Sequence, residues 1–194
     1  MRQLRLPLDE SEVRSLHAGE NVLLSGRMFT ARDAAHSYLV SHEELEAPYP
    51  ALNGGVLYHC GPVMVRDEAS GEWRVTAAGP TTSSREEPYE STVIRRFGIR
   101  AIIGKGGMGA ETARACQECG CVYLQATGGA AQVLASAVKR VTNVYYYEQF
   151  GAPEAIWELE VTDFPATVTM DTHGRSLHAE VLDASRKRLQ ELLG

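Results

Sequence analysis

The sequence predicts a mixed α/β domain in three layers, and three observations predict it. Apolar runs of strand length dominate the first third. Strand-like and helix-like runs alternate from Arg100 onward, the pattern of a parallel, helix-covered sheet. No linker or low-complexity stretch separates the two parts, so residues 1–194 read as one domain sharing one core.

The elements follow in order. Asn21–Phe29 is an apolar run suited to a buried strand, and Asp33–Glu46 carries Ala34, Tyr38, Leu39 and Leu45 at roughly helical spacing with Asp33 as N-cap. Gly55–His59 and Pro62–Arg66 are short strands. The polar turn Asp67–Glu72 returns the chain through Trp73–Ala77 as a hairpin. Ser83 or Ser84, followed by Glu86 and Glu87, caps a helix running to Phe97. Arg100–Ile103 is a strand, Glu111–Glu118 a helix stopped by Gly120, Cys121–Gln125 a strand and Ala131–Lys139 a helix. Val144–Glu148 and Trp157–Val161 add strands, with Tyr145, Tyr146 and Tyr147 alternating faces as packing or interface residues. Phe164–Asp171 leads to a turn at Asp171–Gly174, and His178–Leu193 closes as an amphipathic helix.

Composition narrows the function. Lys and Arg number 19 against 25 Asp and Glu, a net charge of −6, which disfavours nucleic acid as a partner. No apolar run reaches the roughly 18 residues of a membrane span, and Met1–Leu8 lacks the apolar stretch of a signal peptide. A cytoplasmic compartment is expected, with Cys60, Cys116, Cys119 and Cys121 as reduced thiols. Cys116-x-x-Cys119-x-Cys121 straddles a helix end, so its thiols are expected to diverge as buried small residues, with no convincing fourth metal ligand.

Two glycine-bearing runs set cations and hydroxyls against an acidic background: Gly79-Pro-Thr-Thr-Ser-Ser-Arg85 and Gly104-Lys-Gly-Gly-Met-Gly109. The second fits Gly-x-Gly-x-x-Gly between a strand and a helix, where backbone N–H groups and the helix dipole suit an anion. A nicotinamide-dependent oxidoreductase remains an alternative on that pattern alone. It needs an acid at the end of the next strand for a ribose, and that strand ends at Leu124-Gln125-Ala126. A phosphate loop needs Ser or Thr after the lysine, where Gly106 stands. Arg85 offers a fork for a carboxylate, with the hydroxyls of Thr81, Thr82, Ser83 and Ser84 beside it. Arg32 stands at a helix start, where an anion is favoured. His36 follows Asp33 by three residues, within reach of pairing on one helix face. His59 lacks neighbours at metal-ligand spacing.

Taken together, these runs resemble the β subunit, or C-terminal domain, of the iron–sulfur class I fumarases and L(+)-tartrate dehydratases. The resemblance spans nearly the whole chain. It rests on Ala31-Arg-Asp-Ala-Ala-His36, His59-Cys-Gly-Pro62, Gly79–Arg85, Gly104–Gly109, Thr127-Gly-Gly-Ala-Ala131, Pro153–Trp157, Asp163-Phe-Pro165 and Asp171–Gly174, in that order.

It implies a swivelling β/β/α domain and reversible hydration of a C4 dicarboxylate: fumarate to L-malate, or alternatively L-tartrate to oxaloacetate. A non-catalytic dicarboxylate-binding module is a further alternative. It implies a 4Fe–4S cluster held by three cysteines of a partner α subunit, no metal ligand in this chain, and an assembly of two α and two β subunits, with a homodimer as a form of the isolated chain. Carried over by position, Arg32, Arg85 and Lys105 contact substrate carboxylates. Thr81 and Lys105 are the catalytic candidates, Thr81 working with an acid of the partner on the C3 proton. Asp33, His36, Gly106 and Gly107 support them. The chain departs from the fumarase-like pattern at Ser83-Ser84, where Ala-Gly is common.

Overall fold

The computed structural model describes residues 1–193. Its elements are β1 (Arg2–Arg5), α1 (Glu10–Arg14), β2 (Asn21–Thr30), α2 (Asp33–Ser41), β3 (Val56–Tyr58), β4 (Val63–Arg66) and β5 (Trp73–Ala77). A 3-10 turn at Ser83–Arg85 leads into α3 (Glu87–Phe97). Then come β6 (Ala101–Gly104), α4 (Ala110–Cys119), β7 (Val122–Gln125), α5 (Ala131–Ala137), β8 (Val138–Tyr145), α6 (Tyr147–Phe150), β9 (Ile156–Met170) and α7 (Leu177–Leu193).

β1, β2, β3, β6 and β7 lie side by side and parallel, as the strand–helix alternation predicts. β9 runs antiparallel and is long enough to serve three neighbours. Residues 156–161 pair with β8, residues 158–167 with β2 and residues 167–170 with β7. Thr167 sits opposite Asn21 on one side and Gln125 on the other, so β2, β3, β6, β7 and β9 close into a five-stranded ring. A register slip between Leu24 and Gly26 bends this pairing, and Asp163, opposite it on β9, takes a left-handed φ of 53°. β4 and β5 form a separate hairpin.

Strand periodicity explains the two cores. Val56 and Tyr58, Ala101 and Ile103, and Val122 and Leu124 point into the ring, where they join Val22, Leu24, Met28, Trp157, Leu159 and Phe164. The residues between them, Leu57, Ile102 and Tyr123, point outward beneath α2, α3 and α4 and meet Leu39, Val93, Ile94, Ala115 and Cys116. Both faces of the parallel strands are thus covered, which is why they read as continuous apolar runs.

Several expectations need correction. β1, α1 and α6 have no counterpart in the pattern read from the sequence, being four to five residues long. α2 stops at Ser41, well before Glu46. The Ser41 hydroxyl bonds back to the Ser37 carbonyl at 2.7 Å and His42 turns extended. Arg32, not Asp33, is the N-cap. α5 ends at Ala137 because the β-branched run from Val138 pairs with β9 instead. The tyrosine run does not alternate on one strand. Tyr146 has a φ of 60°, which ends β8 at Tyr145 and sends Tyr147 toward Trp73 and Trp157. α7 forms as expected, with no buried residue, and exposes Val181, Leu189 and Leu192.

Candidate active site at the carboxyl ends of the strands

The segments singled out in the sequence meet at one end of the ring. Arg32 follows β2, His59 follows β3, Lys105 follows β6, and Thr127–Gly129 follows β7. These are the carboxyl ends of four adjacent parallel strands, where open α/β sheets place ligands. The Gly79–Arg85 run is stitched between them. Thr81 N donates to the His59 carbonyl at 2.6 Å, Lys105 N to the Thr81 carbonyl at 3.3 Å, and Ser83 N to the Lys105 carbonyl at 3.0 Å.

The helix N-termini here are already filled, and by carboxylates of the chain itself. Glu154 accepts from the Ala34 N–H at the start of α2, at 3.0 Å. Glu87 accepts from the Gly109 N–H at 2.7 Å, the Thr112 N–H at 3.3 Å and the Thr112 hydroxyl at 2.8 Å, capping α4. Two further N–H groups of the glycine loop also bond inward: Gly106 to Gln125 Oε1 at 3.1 Å and Gly107 to the Tyr123 hydroxyl at 3.3 Å. Part of the loop backbone and part of the α4 terminus are thus taken up by the chain's own acceptors, which leaves less of them for a bound anion than the glycines alone suggest.

What the site offers instead is side-chain cation. Arg32 lies 3.3 Å from Glu154 and 3.9 Å from Asp33, and its buried Nε has no protein partner. Arg85 is gripped by Asp33 through two parallel bonds, Nη2 to Oδ2 at 2.7 Å and Nε to Oδ1 at 3.2 Å. Two of its donors are thus occupied, and the group is 54% exposed. Among the described residues no ion pair joins Lys105, whose stem passes Gly128: a Cβ there would lie 3.5 Å from Lys105 Cδ. Thr81 is half-buried, and no described side chain hydrogen-bonds its hydroxyl.

Asp33 does not pair with His36, because Arg85 takes it. His36 turns inward to a buried relay that the sequence does not reveal. His36 Nε2 and His59 Nε2 both approach Glu90 Oε2, at 2.9 and 2.8 Å. His59 Nδ1 lies 2.9 Å from Ser83 Oγ, which accepts from the Tyr123 hydroxyl at 2.8 Å. All four buried polar residues, His36, His59, Ser83 and Glu90, are fully out of solvent.

Proton counting fixes their states. Burial pushes the Glu90 carboxyl up, but the two imidazoles outweigh it and hold Glu90 ionised, down to about 2. Burial disfavours the charged form of His36, and Glu90 and Glu86 outweigh it, raising it to about 9. Burial wins at His59, which stays neutral with its pKa lowered. A neutral His59 donates from Nε2 to Glu90, so its Nδ1 accepts the Ser83 proton. His36, charged, donates from Nε2 to Glu90 and from Nδ1 to the Arg32 carbonyl at 2.9 Å. The three residues are also metal-ligating types. Tetrahedral coordination separates ligand atoms by roughly 3.3 Å, and the contacts of 2.8 and 2.9 Å are those of hydrogen bonds.

The cysteines do not fit an iron–sulfur cluster in this chain. Cys60, Cys116 and Cys121 are buried in two separate cores, and only Cys119 is partly exposed. Burial pushes the Cys60 thiol up to about 12 and the Cys121 thiol well up, opposing the thiolate a cluster needs. Cys116 and Cys121 do not diverge as expected. They lie together in the outer core, bridged by the Cys121 N–H donating to the Cys116 carbonyl at 3.0 Å.

A family model described as the fumarase C-terminus matches residues 2–181. A putative class I fumarate hydratase of Geobacillus stearothermophilus is 50% identical over 188 residues, which cover 97% of this chain and 35% of that protein. The chain thus spans about a third of that relative's length. A putative L(+)-tartrate dehydratase subunit beta of Methanocaldococcus jannaschii is 43% identical over 192 residues, 96% of each chain. The L(+)-tartrate dehydratase subunit beta of Escherichia coli is 34% identical over 179 residues, 91% of this chain and 86% of its own. With residues Arg2–Val181 matched and both cation-bearing runs inside that span, the chain belongs to the fumarase C-terminus family.

Proposed function

We propose that this chain is the β subunit of a two-subunit hydro-lyase that reversibly hydrates fumarate to L-malate. The observation that carries the reading is Lys105, a cation that no described ion pair joins, on a loop whose backbone bonds to Thr81, at an end of the ring where Glu154 and Glu87 already take N–H groups of α2 and α4. An acceptor built this way takes carboxylates by cation, not by helix dipole. Residues 1–194 act as one swivelling β/β/α domain, closing the site against a partner.

Lys105, Arg32 and Arg85 bind and orient the dicarboxylate. Removing a proton beside a carboxylate builds negative charge on its oxygens, which preorganised cations stabilise. Thr81 is the proton-handling candidate of this chain. A threonine is a weak base at its free pKa, so it works with an acid supplied from outside the chain. Asp33 orients Arg85, and Gly106 and Gly107 shape the loop that presents Lys105. The 4Fe–4S cluster belongs to an α subunit, since the thiols here do not suit it, and two α with two β subunits form the working assembly. Free thiols support a cytoplasmic setting, and no described helix is long and apolar enough to cross a membrane.

L(+)-tartrate is the second reading. It is favoured by the match along 96% of both chains to a protein named as a tartrate dehydratase β subunit. Rates on L-malate and L-tartrate, measured side by side with the partner subunit present, decide between them. Turnover of neither acid overturns the hydro-lyase reading. Turnover by the isolated chain overturns the need for a partner.

A further inference from the structure

The buried relay touches every loop that carries a candidate substrate cation. At one end the Gly107 N–H, two residues past Lys105, donates to the Tyr123 oxygen. Tyr123 donates to Ser83, inside the Thr81–Arg85 turn. Ser83 donates to His59, whose own carbonyl holds the Thr81 N–H. His59 and His36 both donate to Glu90, and His36 donates to the carbonyl of Arg32. Each N–H or O–H has one acceptor along the line, and each link but the last crosses from one element to another: the glycine loop, β7, the 3-10 turn, the end of β3, α3 and α2; the last runs from His36 to the N-cap of its own helix.

The packing leaves the relay no slack. A Cβ at Gly104 would overlap the Ser83 hydroxyl and sit 2.9 Å from the Tyr123 oxygen, so the glycine admits the two hydroxyls against the end of β6. Gly107 has a φ of 79°, which aims its N–H inward at Tyr123. Ser83 is the position where the fumarase-like pattern commonly has alanine. With alanine the line is cut between Tyr123 and His59.

We propose that this relay, from Gly107 through Tyr123, Ser83, His59, Glu90 and His36 to Arg32, fixes the Lys105, Thr81–Arg85 and Arg32 loops relative to one another, making Ser83, Tyr123 and His59 positioning residues of the dicarboxylate site. The dicarboxylate part rests on the function proposed above; the mechanical coupling of the loops does not. A hydrogen-bonded network of this kind acts as a unit, and loss of one member is felt at the others. A displacement of a cation by about an ångström is enough to cost catalysis heavily.

Two single-group deletions test it: Tyr123→Phe, which removes one hydroxyl, and Ser83→Ala, which cuts the line at its centre. Amide hydrogen exchange on the full chain is the first readout. The expected result is at least tenfold faster exchange at Gly107 in both variants, and faster exchange in residues 81–85 in Ser83→Ala, with the β6 and β7 amides unchanged. General loosening speeds β6 and β7 equally and overturns the proposal, as does unchanged exchange at Gly107. The second readout is steady-state kinetics with the partner subunit. Misplaced cations raise KM for the dicarboxylate at least fivefold, whereas a merely structural loss lowers kcat through the active fraction and leaves KM alone. An unchanged KM overturns the positioning role. If the wild-type complex turns over no dicarboxylate, the functional reading falls, and the exchange result alone decides the coupling.

Discussion

Arg85 and Asp33 face each other fork to fork, 2.7 and 3.2 Å apart at their two contacts, across 52 residues of sequence. The pair is exposed, so its direct stabilisation is small, below about 1 kcal/mol. Its effect is to aim the guanidinium. Asp33→Ala is expected to leave the urea midpoint almost unmoved and to raise KM for the dicarboxylate severalfold. Arg85→Ala should raise KM further, and the double variant should match Arg85→Ala alone. Additive effects in that cycle separate the two residues functionally.

Of the three candidate site cations, Arg32, Arg85 and Lys105, only Lys105 lacks an acidic partner among the described residues. Lys105→Ala in the reconstituted complex should lower kcat/KM at least tenfold, a loss of about 1.4 kcal/mol or more of transition-state stabilisation. An unchanged value takes Lys105 out of the site.

Glu87 caps a helix that is not its own. Replacing it by alanine leaves the Gly109 N–H, the Thr112 N–H and the Thr112 hydroxyl without their acceptor. The expected cost is about 1–2 kcal/mol, in the range of a lost N-cap with its dipole contribution. Urea unfolding measures it. Glu87→Gln, which keeps an acceptor and loses the charge, should recover part of it.

Gly104 carries a steric requirement set by Ser83 and Tyr123. Gly104→Ala should destabilise by about 1–3 kcal/mol through overpacking. Combining it with Ser83→Ala removes the hydroxyl it meets, and the pair should cost less than the sum of the two single changes.

Glu86 gives a pH dependence of definite sign. It is buried, neither carboxyl oxygen has a hydrogen-bond partner, and burial, opposed by His36 at 3.6 Å, pushes its pKa from 4.5 up to about 7. Between those values the unfolded chain has released the proton and the folded chain still holds it. Stability therefore falls as pH rises from 4.5 to 7, by up to ~3 kcal/mol. His36, raised from 6.5 to about 9, stabilises fully below pH 6.5, and that contribution is lost as pH rises toward 9. His59, its pKa lowered from 6.5, contributes with the opposite sign below that pH, so the Glu86 contribution is read as a difference: wild type should lose stability relative to Glu86→Gln between pH 4.5 and 7, and the two should run together above it. Thermal unfolding at four pH values checks this, and parallel profiles reject it.

Much of the frame is legible from local pattern. The apolar alternation in Val56–Tyr58, Ala101–Gly104 and Val122–Gln125 places those strands because both of their faces are buried. The loops after them carry His59, Lys105 and Thr127–Gly129, and the glycines mark where those loops turn. The relay is not legible. Glu90 lies 31 residues from His59 and 54 from His36, and nothing in α3 distinguishes a glutamate that faces inward from one that meets solvent. The same holds for Glu87 and Glu154, whose capping roles exist only once distant helices meet them. Ser83 reads as a local cap, and its hydroxyl goes instead to partners 24 and 40 residues away.

β9 joins β7 back to β2, and it arrives late in the chain. A nascent polypeptide that has emerged only as far as Val138 already contains Arg32, Thr81, Arg85 and Lys105, along with every member of the relay, yet it cannot close the ring that holds their strand ends together. Contacts such as Asn21 with Thr167 span most of the sequence, a topology that folds slowly. The order of synthesis therefore bears on assembly: the candidate site residues are made first, and the ring that fixes their strand ends can close only once the last strand has left the ribosome.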